Sequence, residues 1–536
     1  MKAAEAMVKC LENEGIKVVF GYPGAAICPF YDALTSSKIK HILVRHEQNA
    51  GHSANGYARI TNKPAVCIAT SGPGATNLIT AIATSYMDSV PLVVITGQVS
   101  SDQIGRDVFQ EADITGAAEP FVKHSYLIKE ASQLPKIFKE AFYIAGTGRK
   151  GPVLIDIPMD IQDIDIEFDY PKQVDIRAYK PSTKGNTLQI KRVIEAMGNA
   201  RKPLICSGGG VFAANACEEM LALAEKTNIP VITTMMGISS ISGEHPLNFG
   251  MLGMHGVKSA NYAVNKCDLL VLIGARVGDR AVKSPSFLAE TTKIIHIDID
   301  PAEIGKNIKV NIPIVGDAKL ILGQILDSIP QMEHKEWLDE LSTLRVPAEF
   351  DKAEDGFVNP REFIQKLSSK MPENTVCVAD VGQNQIWTSN YFKTKQGRFL
   401  TSGGMGTMGY SIPAAVGAKL ANSNAPVVAI CGDGSFQMQM MELATICQND
   451  IPIKIIIMNN NRLGMVRELQ KNAYKNNLTA VFLDGNPDFI LLAKAYGISS
   501  ERVSDISDAD EAIDRLISSK TAYLIECTVS PNEKTL

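Results

Sequence analysis

The sequence has 536 residues, of which 45% are hydrophobic and 21% are charged, a balance that excludes an intrinsically disordered chain. Its 53 basic and 58 acidic residues leave a net charge of −5, which gives no reason to expect nucleic acid or an anionic membrane as a partner. At roughly 150 residues per domain, the length predicts three or four domains.

The N-terminal segment MKAAEAMVKCLENEG has the charge pattern of an amphipathic helix and lacks the apolar core of a signal peptide. No segment reaches the ~18 consecutive apolar residues that a membrane span needs. The ten cysteines contain no C-x-x-C pair, and Cys67 and Cys431 lie in apolar, strand-like runs. We therefore expect buried free thiols and a cytoplasmic protein.

Short β-branched apolar runs alternate with helical patterns along the whole chain. The runs are VVIT after Pro91, VLIDIP from Val153, LLVLIG from Leu269, KIIHIDID from Lys293, VVAICGD from Val427 and IKIIIMNN from Ile453. Such runs are typical of parallel strands buried on both faces, so they predict doubly wound α/β sheets. Ligands of these sheets bind beyond the carboxyl ends of the strands.

Two polar stretches of low periodicity divide the chain, at residues 163–186 and 331–357, and the second includes a pattern typical of a solvated helix. Cutting there predicts three α/β domains, over residues 1–165, 186–330 and 357–536. Each block has the usual size of one domain.

A glycine–acid turn follows the strand VVAIC. It reads Gly432-Asp433-Gly434-Ser435 and precedes a helical pattern. Glycines allow close approach of the backbone to a ligand, and the free N–H groups at a helix start suit a phosphate. An aspartate beside a phosphate requires a divalent cation between them, and Mg²⁺ shares phosphate oxygens readily.

The next strand ends at Asn459-Asn460-Asn461, and Asn460 follows Asp433 by 27 residues. One helix and one strand fit this spacing, so both side chains reach the same edge of the sheet. An amide oxygen is a suitable second ligand for a hard cation. A lone GDG is weak evidence, but GDG followed at this distance by NN is the signature of a thiamine diphosphate site.

A thiamine cofactor also needs a carboxyl group at N1′ of its pyrimidine ring. Glu47, in KHILVRHEQNAGHSANGYAR, ends a predicted strand and precedes a predicted helix. A glutamate in this position is more often a solvated cap, but the diphosphate motif favours Glu47 as the activating acid.

These residues belong to a longer resemblance: the sequence resembles the acetohydroxyacid synthase family along nearly its whole length. The matching stretches are VFGYPGAAI, HILVRHEQNAGHSANGYAR, TSGPGATN, FQEAD, GPVLIDIP, GMLGMHG, HIDIDPAEIGKN, GGMGTMGYSIPAA, GDGSF and NNNRLGMV. Several are shared by most thiamine-diphosphate enzymes, whereas GMLGMHG, HIDIDPAEIGKN and FQEAD are narrower and favour this family.

The resemblance implies a role for each matching residue. Glu47 would activate the cofactor, the Gly406 carbonyl would accept its 4′-amino group, and Met408 would support its bent form. Asp433, Asn460 and the Arg462 carbonyl would bind Mg²⁺. Catalysis would also involve Ala25, Phe109 and Gln110, the last two from a second subunit. The other cofactor contacts implied are Pro23, Pro73, Asn77, Gln383, Asn384, Gly432, Gly434, Ser435, Gly464 and Met465.

The central block resembles the FAD-binding domain of the family. The contacts that the resemblance implies are Gly208, Gly209, Gly210, Thr234, Met235, Leu252, Met254, His255, Gly274, Arg276, Asp298 and Asp317. A Rossmann-like domain without a cofactor remains the alternative.

The family reaction implied is the decarboxylation of pyruvate and transfer of the two-carbon unit to a second 2-keto acid, for branched-chain amino-acid biosynthesis. In this family the pyrimidine-side and diphosphate-side domains of one site belong to different chains, so the resemblance implies a homodimer at least, with a tetramer and a regulatory small subunit left open. The alternatives are another thiamine-diphosphate decarboxylase, oxidase or carboligase, or a non-catalytic paralogue. A dehydrogenase is disfavoured, because no G-x-G-x-x-G opens a helix after a first strand.

The sequence departs from the family pattern near the substrate entrance. Ala25 replaces a glycine, and a positive φ there would be costly. Ser100, Met159 and Leu469 stand where proline, lysine and tryptophan are usual. We expect a preference for pyruvate over 2-ketobutyrate as acceptor and poor binding of sulfonylureas and imidazolinones. The family normally continues past the segment matching SPNEKTL with a tail that helps to close the site, so the short C-terminus predicts a more open pocket.

Overall fold

A computed structural model describes residues 1–281, 288, 290, 292–345 and 349–536. Three six-stranded parallel sheets follow one another along the chain, each covered by helices. The predicted fold class of three doubly wound α/β domains is therefore confirmed. Every strand lies inside one of the three predicted blocks, while the block boundaries themselves stay a prediction.

The N-terminal sheet has the strand order β2-β1-β3-β4-β6-β5. Its strands are β1 (Val18–Gly21), β2 (Lys40–Leu43), β3 (Ala65–Ala69), β4 (Leu92–Gln98), β5 (His124–Leu127) and β6 (Pro152–Pro158). Its helices are α1 (Ala3–Asn13), α2 (Cys28–Leu34), α3 (Glu47–Thr61), α4 (Pro73–Thr76), α5 (Ile79–Met87), α6 (Ile114–Ala118), α7 (Leu134–Gly146) and α8 (Met159–Gln162). The order reverses between β1 and β3, where a ligand crevice is expected.

The central sheet has the strand order β12-β11-β10-β7-β8-β9. Its strands are β7 (Pro203–Ser207), β8 (Val231–Thr233), β9 (Asn248–Met251), β10 (Leu269–Ile273), β11 (Lys293–Asp298) and β12 (Ile312–Val315). The helices described around it are α9 (Thr187–Asn199), α10 (Gly209–Ala213), α11 (Cys217–Thr227), α12 (Lys258–Lys266), α13 (Ala318–Leu326) and α14 (Lys335–Ser342). The reversal lies between β7 and β10.

The C-terminal sheet has the strand order β14-β13-β15-β16-β18-β17. Its strands are β13 (Val376–Ala379), β14 (Arg398–Leu400), β15 (Val427–Gly432), β16 (Lys454–Asn459), β17 (Ser499–Val503) and β18 (Tyr523–Thr528). Its helices are α15 (Pro360–Lys370), α16 (Gln383–Tyr391), α17 (Ser411–Ala421), α18 (Asp433–Gln437), α19 (Leu443–Gln448), α20 (Gly464–Ala473), α21 (Phe489–Ala495) and α22 (Ala509–Ser518). The loops after β13, β15 and β16 therefore meet at one edge of the sheet.

Two details differ from the sequence-based expectations. The helix α14 is not solvated on all sides, because Trp337 and Leu341 are buried and Trp337 Nε1 donates a hydrogen bond to the Pro203 carbonyl at 3.0 Å. All ten cysteines are free, but Cys28 is exposed, and Cys217 and Cys447 are only half-buried. In the described part of the chain, no helix has both the length and the apolar surface to span a bilayer.

Helices α3 and α17 join the N-terminal and C-terminal domains at two glycines. A Cβ on Gly56 would lie 2.0 Å from the Ala414 carbonyl oxygen, and one on Gly417 would lie 1.8 Å from the Ser53 carbonyl oxygen. Only glycine permits this close approach of two helix backbones. The contact fixes α3, which begins at Glu47, against the C-terminal domain.

We expect Gly56→Ala to destabilise the protein by about 3 kcal/mol, because the added methyl group meets backbone atoms that cannot move aside cheaply. The matched control is Gly323→Ala, a helical glycine whose Cβ would meet nothing within 4 Å. That control is expected to stabilise by about 0.5–1 kcal/mol. Thermal unfolding tests both predictions: the unfolding temperature should fall in Gly56→Ala and rise in Gly323→Ala. Equal unfolding temperatures for the two variants would contradict this explanation of Gly56.

Candidate active site

The loops after β1, β2 and β3 bring one group of predicted residues together. Glu47 is the first residue of α3, is half-buried, and accepts a hydrogen bond at Oε2 from Asn77 Nδ2 at 2.9 Å. The Ala26 backbone N–H donates to Thr70 Oγ1 at 3.2 Å, which holds the first loop against the third. Glu47 therefore lies at the reversal of the sheet, and the predicted contacts nearby that remain exposed are Pro23, Ala25 and Pro73.

Ala25 does not have a positive φ, so the expected cost of replacing a glycine there does not arise. It begins the 3₁₀ helix Ala25–Ile27. The close approach in this loop is at Gly24, whose added Cβ would lie 2.5 Å from Thr70 Cγ2. The sequence pattern therefore retains glycine where the packing requires it.

The loop after β4 presents Phe109 and Gln110. Phe109 is 87% exposed, and Gln110 has a φ of 59°, a conformation that is costly for a residue with a side chain. The loop packs on Gly72, where a Cβ would lie 2.9 Å from Gln110 Cα. Strained backbone of this kind is concentrated at functional sites.

A buried carboxyl group that the sequence analysis missed supports this loop. Asp156, in β6, accepts hydrogen bonds from Thr96 Oγ1 at 2.6 Å and from Gln98 Nε2 at 2.9 Å. Gln98 Oε1 in turn accepts a hydrogen bond from the Val99 N–H at 2.9 Å. Burial raises the pKa of Asp156 to about 7. Asp156 looks like an ordinary strand residue in VLIDIP, so its sequence gave no functional signal.

We expect Asp156→Asn to change how stability depends on pH. Because the pKa of the folded carboxyl lies near 7 and that of an unfolded aspartate lies near about 3.9, folding takes up a proton between these values. The stability of the wild-type protein should therefore fall as the pH rises from about 4 to about 7. Urea unfolding at pH 5 and pH 8 measures this effect: relative to wild type, the free energy of unfolding of the variant should be more favourable at pH 8 than at pH 5. Parallel pH profiles would contradict this, and exposed Asp169→Asn is the control.

The three predicted entrance residues lie on two domains. Ser100 and Met159 follow β4 and β6, which are paired at Gln98 and Pro158, so they lie at the same sheet edge. Leu469 lies on α20 of the C-terminal domain and is 57% exposed. Their convergence on one substrate funnel stays a prediction.

The loops after β15 and β16 form the second group. The Asp433 side chain is buried and accepts a hydrogen bond at Oδ2 from Asn486 Nδ2 at 2.7 Å. Among the described residues, no lysine, arginine or histidine forms an ion pair with it. Burial raises the pKa of Asp433 to about 6. A buried carboxyl group without a cationic partner fits a site for a metal ion.

Asn460 and Arg462 lie on the loop after β16, and the Arg462 N–H donates to Asn460 Oδ1 at 3.1 Å. The Asn460 N–H lies close to the Asp433 carboxyl group and lowers its pKa, although burial dominates. The oxygen-donor set of a carboxylate, an amide and a carbonyl suits Mg²⁺. The described residues contain no group of three or more His, Cys, Asp or Glu side chains that could hold a metal ion.

The remaining predicted contacts surround this turn. Gly434 lies beside Met408, whose Cε would be 3.7 Å from an added Cβ, and Gly464 lies against Gln383 and Asn460. Ser435 Oγ accepts a hydrogen bond from the Gly432 N–H at 3.2 Å. Two predicted diphosphate ligands already have protein partners: Gln383 Nε2 donates to the Glu533 carbonyl and Asn384 Nδ2 to the Asp380 carbonyl. Their role toward a diphosphate stays a prediction.

The loop that carries Gly406 is held by a buried ion pair that sequence reasoning missed. Arg59 and Asp88 are 2.6 Å apart, and Arg59 also donates to the Thr401 carbonyl at 2.8 Å. The Asp88 carboxylate accepts hydrogen bonds from the Gly403 and Gly404 N–H groups, at 3.2 and 2.7 Å. The N-terminal domain thus fixes the loop of the C-terminal domain in which Gly406 has a φ of +68°.

A cavity of about 970 Å³ lies at the carboxyl edge of the central sheet, a size usual for cofactor sites. Ten of the twelve residues predicted to contact FAD line it: Gly209, Gly210, Thr234, Met235, Leu252, His255, Gly274, Arg276, Asp298 and Asp317. Gly208 and Met254 do not. Gly406 and Met465 also line the cavity, so it extends toward the loops of the C-terminal domain.

The glycine turn after β7 has a packing role that was not expected. A Cβ on Gly208 would lie 2.2 Å from the Gly274 carbonyl oxygen, and one on Gly210 would lie 2.6 Å from Gly274 Cα. These glycines therefore allow two loops of the domain to pack closely. Sequence reasoning also missed the cationic residues that other domains supply to the cavity, which are Arg59, Arg149, Lys150 and Arg398.

Comparison with known proteins agrees with this arrangement. Residues 1–117 match the thiamine pyrophosphate enzyme N-terminal TPP binding domain, residues 190–325 the central domain, and residues 380–527 the C-terminal TPP binding domain. The match supports thiamine diphosphate as a cofactor.

Three relatives show the level of similarity. A probable acetolactate synthase large subunit of Methanocaldococcus jannaschii is 48% identical, covering 99% of this chain and 93% of its own. An acetolactate synthase of Arthrospira platensis is 43% identical, covering 99% and 94%. An acetolactate synthase large subunit of Corynebacterium glutamicum is 44% identical, covering 96% and 84%. The resemblance seen in the sequence is confirmed: the chain belongs to the thiamine pyrophosphate enzyme family and, within it, to the acetolactate synthase large subunits.

Proposed function

We propose that this chain is the catalytic subunit of an acetolactate synthase, which decarboxylates pyruvate and transfers the two-carbon unit to a second 2-keto acid. The observation that carries the proposal is the presence of two separate residue groups, one around Glu47 and one around Asp433, in a chain whose relatives bear this name. When bound, thiamine diphosphate supplies the electron sink for the decarboxylation. The chain supplies binding, orientation and proton positions.

The first group would hold the pyrimidine end of the cofactor. Glu47 would keep a proton at the N1′ position, and the Asn77 amide fixes the orientation of its carboxyl group. The carbonyl of Gly406 would accept the 4′-amino group, on a loop that Asp88 and Arg59 hold in place. Exposed Phe109 and strained Gln110 would contact the substrate.

The second group would hold the diphosphate end through Mg²⁺. Asp433, the Asn460 amide and the Arg462 carbonyl are the proposed ligands, and Asn486 orients the Asp433 carboxylate. Neutralisation of a buried carboxylate by the cation would contribute to affinity. The N–H groups of Gly434 and Ser435, at the start of α18, would face the diphosphate.

The central cavity would hold FAD. It is lined by ten of the predicted contacts and by cations from all three domains, which suits a ligand with two phosphates. The alternative, a central domain without a cofactor, predicts no flavin binding.

We further propose that the active enzyme is a homodimer or a larger homo-oligomer, in which Glu47 of one chain faces Asp433 of another. Relatives are named large subunits, so a regulatory small subunit is a proposed partner. A cytoplasmic location and the domain boundaries at 165, 186, 330 and 357 remain part of the proposal.

Ser100, Met159 and Leu469 would set the choice of acceptor. A leucine in place of a large aromatic wall makes fewer contacts with the extra methylene of 2-ketobutyrate, and one methylene is worth only about 1–3 kcal/mol. We therefore propose pyruvate as the preferred acceptor and weak inhibition by sulfonylureas and imidazolinones.

The test is to incubate the purified protein with pyruvate, Mg²⁺ and thiamine diphosphate, with and without FAD, and to follow the products by proton NMR. Acetolactate is expected, and adding 2-ketobutyrate should change the product ratio only slightly. Acetaldehyde as the sole product would replace the proposal with a decarboxylase. Bound cofactor without pyruvate consumption would favour a non-catalytic paralogue.

A further inference from the structure

The cationic side chains that line the central cavity differ in whether they have hydrogen-bond or ion-pair partners within the protein. Among the described residues the lining contains seven lysines and arginines: Arg59, Arg149, Lys150, Arg276, Arg280, Lys306 and Arg398. Six have protein partners. Arg59, Arg149 and Lys306 pair with carboxylates, Lys150 donates to Asn62, Arg276 donates to the Met87 carbonyl, and Arg280 contacts Asp279 and Met254.

Arg398 is the exception. Within the described part of the chain its guanidinium makes no hydrogen bond and no ion pair, and its Nε is buried without a partner. Its Cζ lies 3.2 Å from the centre of the Phe212 ring, which places the cation on an aromatic face. Burial lowers the pKa of Arg398 to about 9, and the described groups whose charges act on this pKa, Cys217, Arg59 and Tyr410, include no carboxyl group.

Arg398 is partly exposed, but its buried Nε has lost its hydration without gaining a hydrogen bond or an ion pair, and this loss is costly. A neutral aromatic face offsets only part of that cost. An anion that enters the cavity would supply the missing partner. The position also indicates where it binds: Phe212 belongs to α10, the same short helix as Gly209 and Gly210, and all three residues line the cavity.

We propose that Arg398, a residue of the C-terminal domain, binds the diphosphate group of a dinucleotide in the central cavity. The inference rests on the proposed flavin site and names the residue that recognises the charge of the ligand. A guanidinium can bind phosphate oxygens in a bidentate manner, which suits an otherwise unpaired arginine. The N–H groups of Gly208 and Gly210 already donate hydrogen bonds to the Ile273 and Gly274 carbonyls, at 3.0 and 2.9 Å, so these two groups are not free to bind an anion.

The placement of Arg398 has a structural consequence. It is the first residue of β14, and the chain passes from this strand into the loop of residues 401–409 that carries Gly406 and Met408. A ligand bound by Arg398 therefore contacts the strand that leads into this loop.

The test uses the full chain with saturating thiamine diphosphate and Mg²⁺, so that diphosphate probes do not enter the thiamine site. Dissociation constants are measured for FAD, ADP and riboflavin by equilibrium dialysis. Arg398→Gln is expected to weaken FAD and ADP by about 10- to 100-fold, the range of a charged hydrogen-bond pair, and to leave riboflavin within about twofold. Arg398→Lys keeps the positive charge but not the bidentate guanidinium group, so it should weaken FAD and ADP binding by less than Arg398→Gln does.

Thermal unfolding of the flavin-free protein separates binding from a structural role. If the role of Arg398 is to bind an anion, the FAD-free Arg398→Gln variant should unfold at the same temperature as the FAD-free wild type or at a higher one. Adding FAD should then raise the unfolding temperature of the variant by less than it raises that of the wild type. The matched control is Arg515→Gln on the same domain, an exposed arginine paired with Glu501. It should change no affinity.

Wild-type affinity for FAD in Arg398→Gln would overturn the inference and leave the proposed flavin site standing. An equal loss for riboflavin would also overturn it, because the residue would then contact the ring rather than the diphosphate. Failure of the wild-type chain to bind either FAD or ADP would overturn both the inference and the flavin site. None of these results depends on whether acetolactate is formed.

Discussion

Replacing Glu47 with glutamine is expected to lower the rate of acetolactate formation by about 10²- to 10⁴-fold, the range that a positioned acid or base contributes. Asn77 Nδ2 donates to Glu47 Oε2 at 2.9 Å, and glutamine retains an oxygen that can accept this bond. The variant therefore keeps its local packing and loses the ionisable proton at the pyrimidine position. The measurement compares kcat for pyruvate with the dissociation constant of thiamine diphosphate, which should change little.

The control is Glu130→Gln, an exposed glutamate of the same domain, which should retain full activity. If Glu47→Gln kept half of the wild-type kcat, Glu47 would be a solvated helix cap, and the assignment of the activating acid would be wrong. If Glu47→Gln weakened thiamine diphosphate binding as strongly as it lowered the rate, Glu47 would contribute to cofactor binding and not to catalysis.

Replacing Asp433 with asparagine is expected to weaken binding of thiamine diphosphate at a fixed Mg²⁺ concentration by at least about 100-fold, since even groups that only orient a metal ligand contribute about 10- to 100-fold. The Mg²⁺ dependence of cofactor binding should disappear with it. Titration calorimetry with thiamine diphosphate, at several Mg²⁺ concentrations, measures both effects.

The same substitution should have the opposite effect on the metal-free protein. Because burial raises the pKa of Asp433 to about 6, the charged form destabilises the fold at pH 7, and the neutral amide removes this cost. Asp433→Asn should therefore unfold at a higher temperature without Mg²⁺. The exposed Asp514→Asn serves as the control for charge. Unchanged Mg²⁺-dependent binding in Asp433→Asn would show that the metal lies elsewhere.

The parts of the site that could be predicted from the sequence are those whose residues lie in local motifs at a fixed spacing along the chain. Asp433 and Asn460 follow neighbouring parallel strands, so their distance along the chain fixes their common position at the sheet edge. Glu47 could be assigned in the same way, from a strand followed by a helix. The fold class was predictable for the same reason, because buried parallel strands are continuous apolar runs.

The parts that the sequence did not predict depend on contacts between distant residues. Asp88 binds the Gly404 N–H across 316 positions of the chain, and no local pattern marks either residue. Asn486 reaches Asp433 from a loop without a motif. Arg398 has no hydrogen-bond or ion-pair partner among the described residues, and this follows from the packing of three domains, which the sequence of one strand does not show.

Backbone conformation was predictable only where sterics leave one solution. Gly24 is required by its contact with Thr70, whereas the neighbouring Ala25 starts a 3₁₀ turn that any residue can adopt. The family pattern alone suggested a cost at Ala25, and the geometry removes it. Conversely, the positive φ of Gln110 has no signal in its sequence, because glutamine is not a residue that favours this conformation.

We propose above all that Glu47 of one chain and Asp433 of another form one acetolactate-producing site. The most direct measurement is the rate of acetolactate formation by a co-expressed, equal mixture of Glu47→Gln and Asp433→Asn chains, each inactive alone. Random assembly gives heterodimers in about half of the molecules, each with one intact site, so about a quarter of wild-type activity is predicted. An inactive mixture, with heterodimers confirmed by two affinity tags, would contradict the shared site.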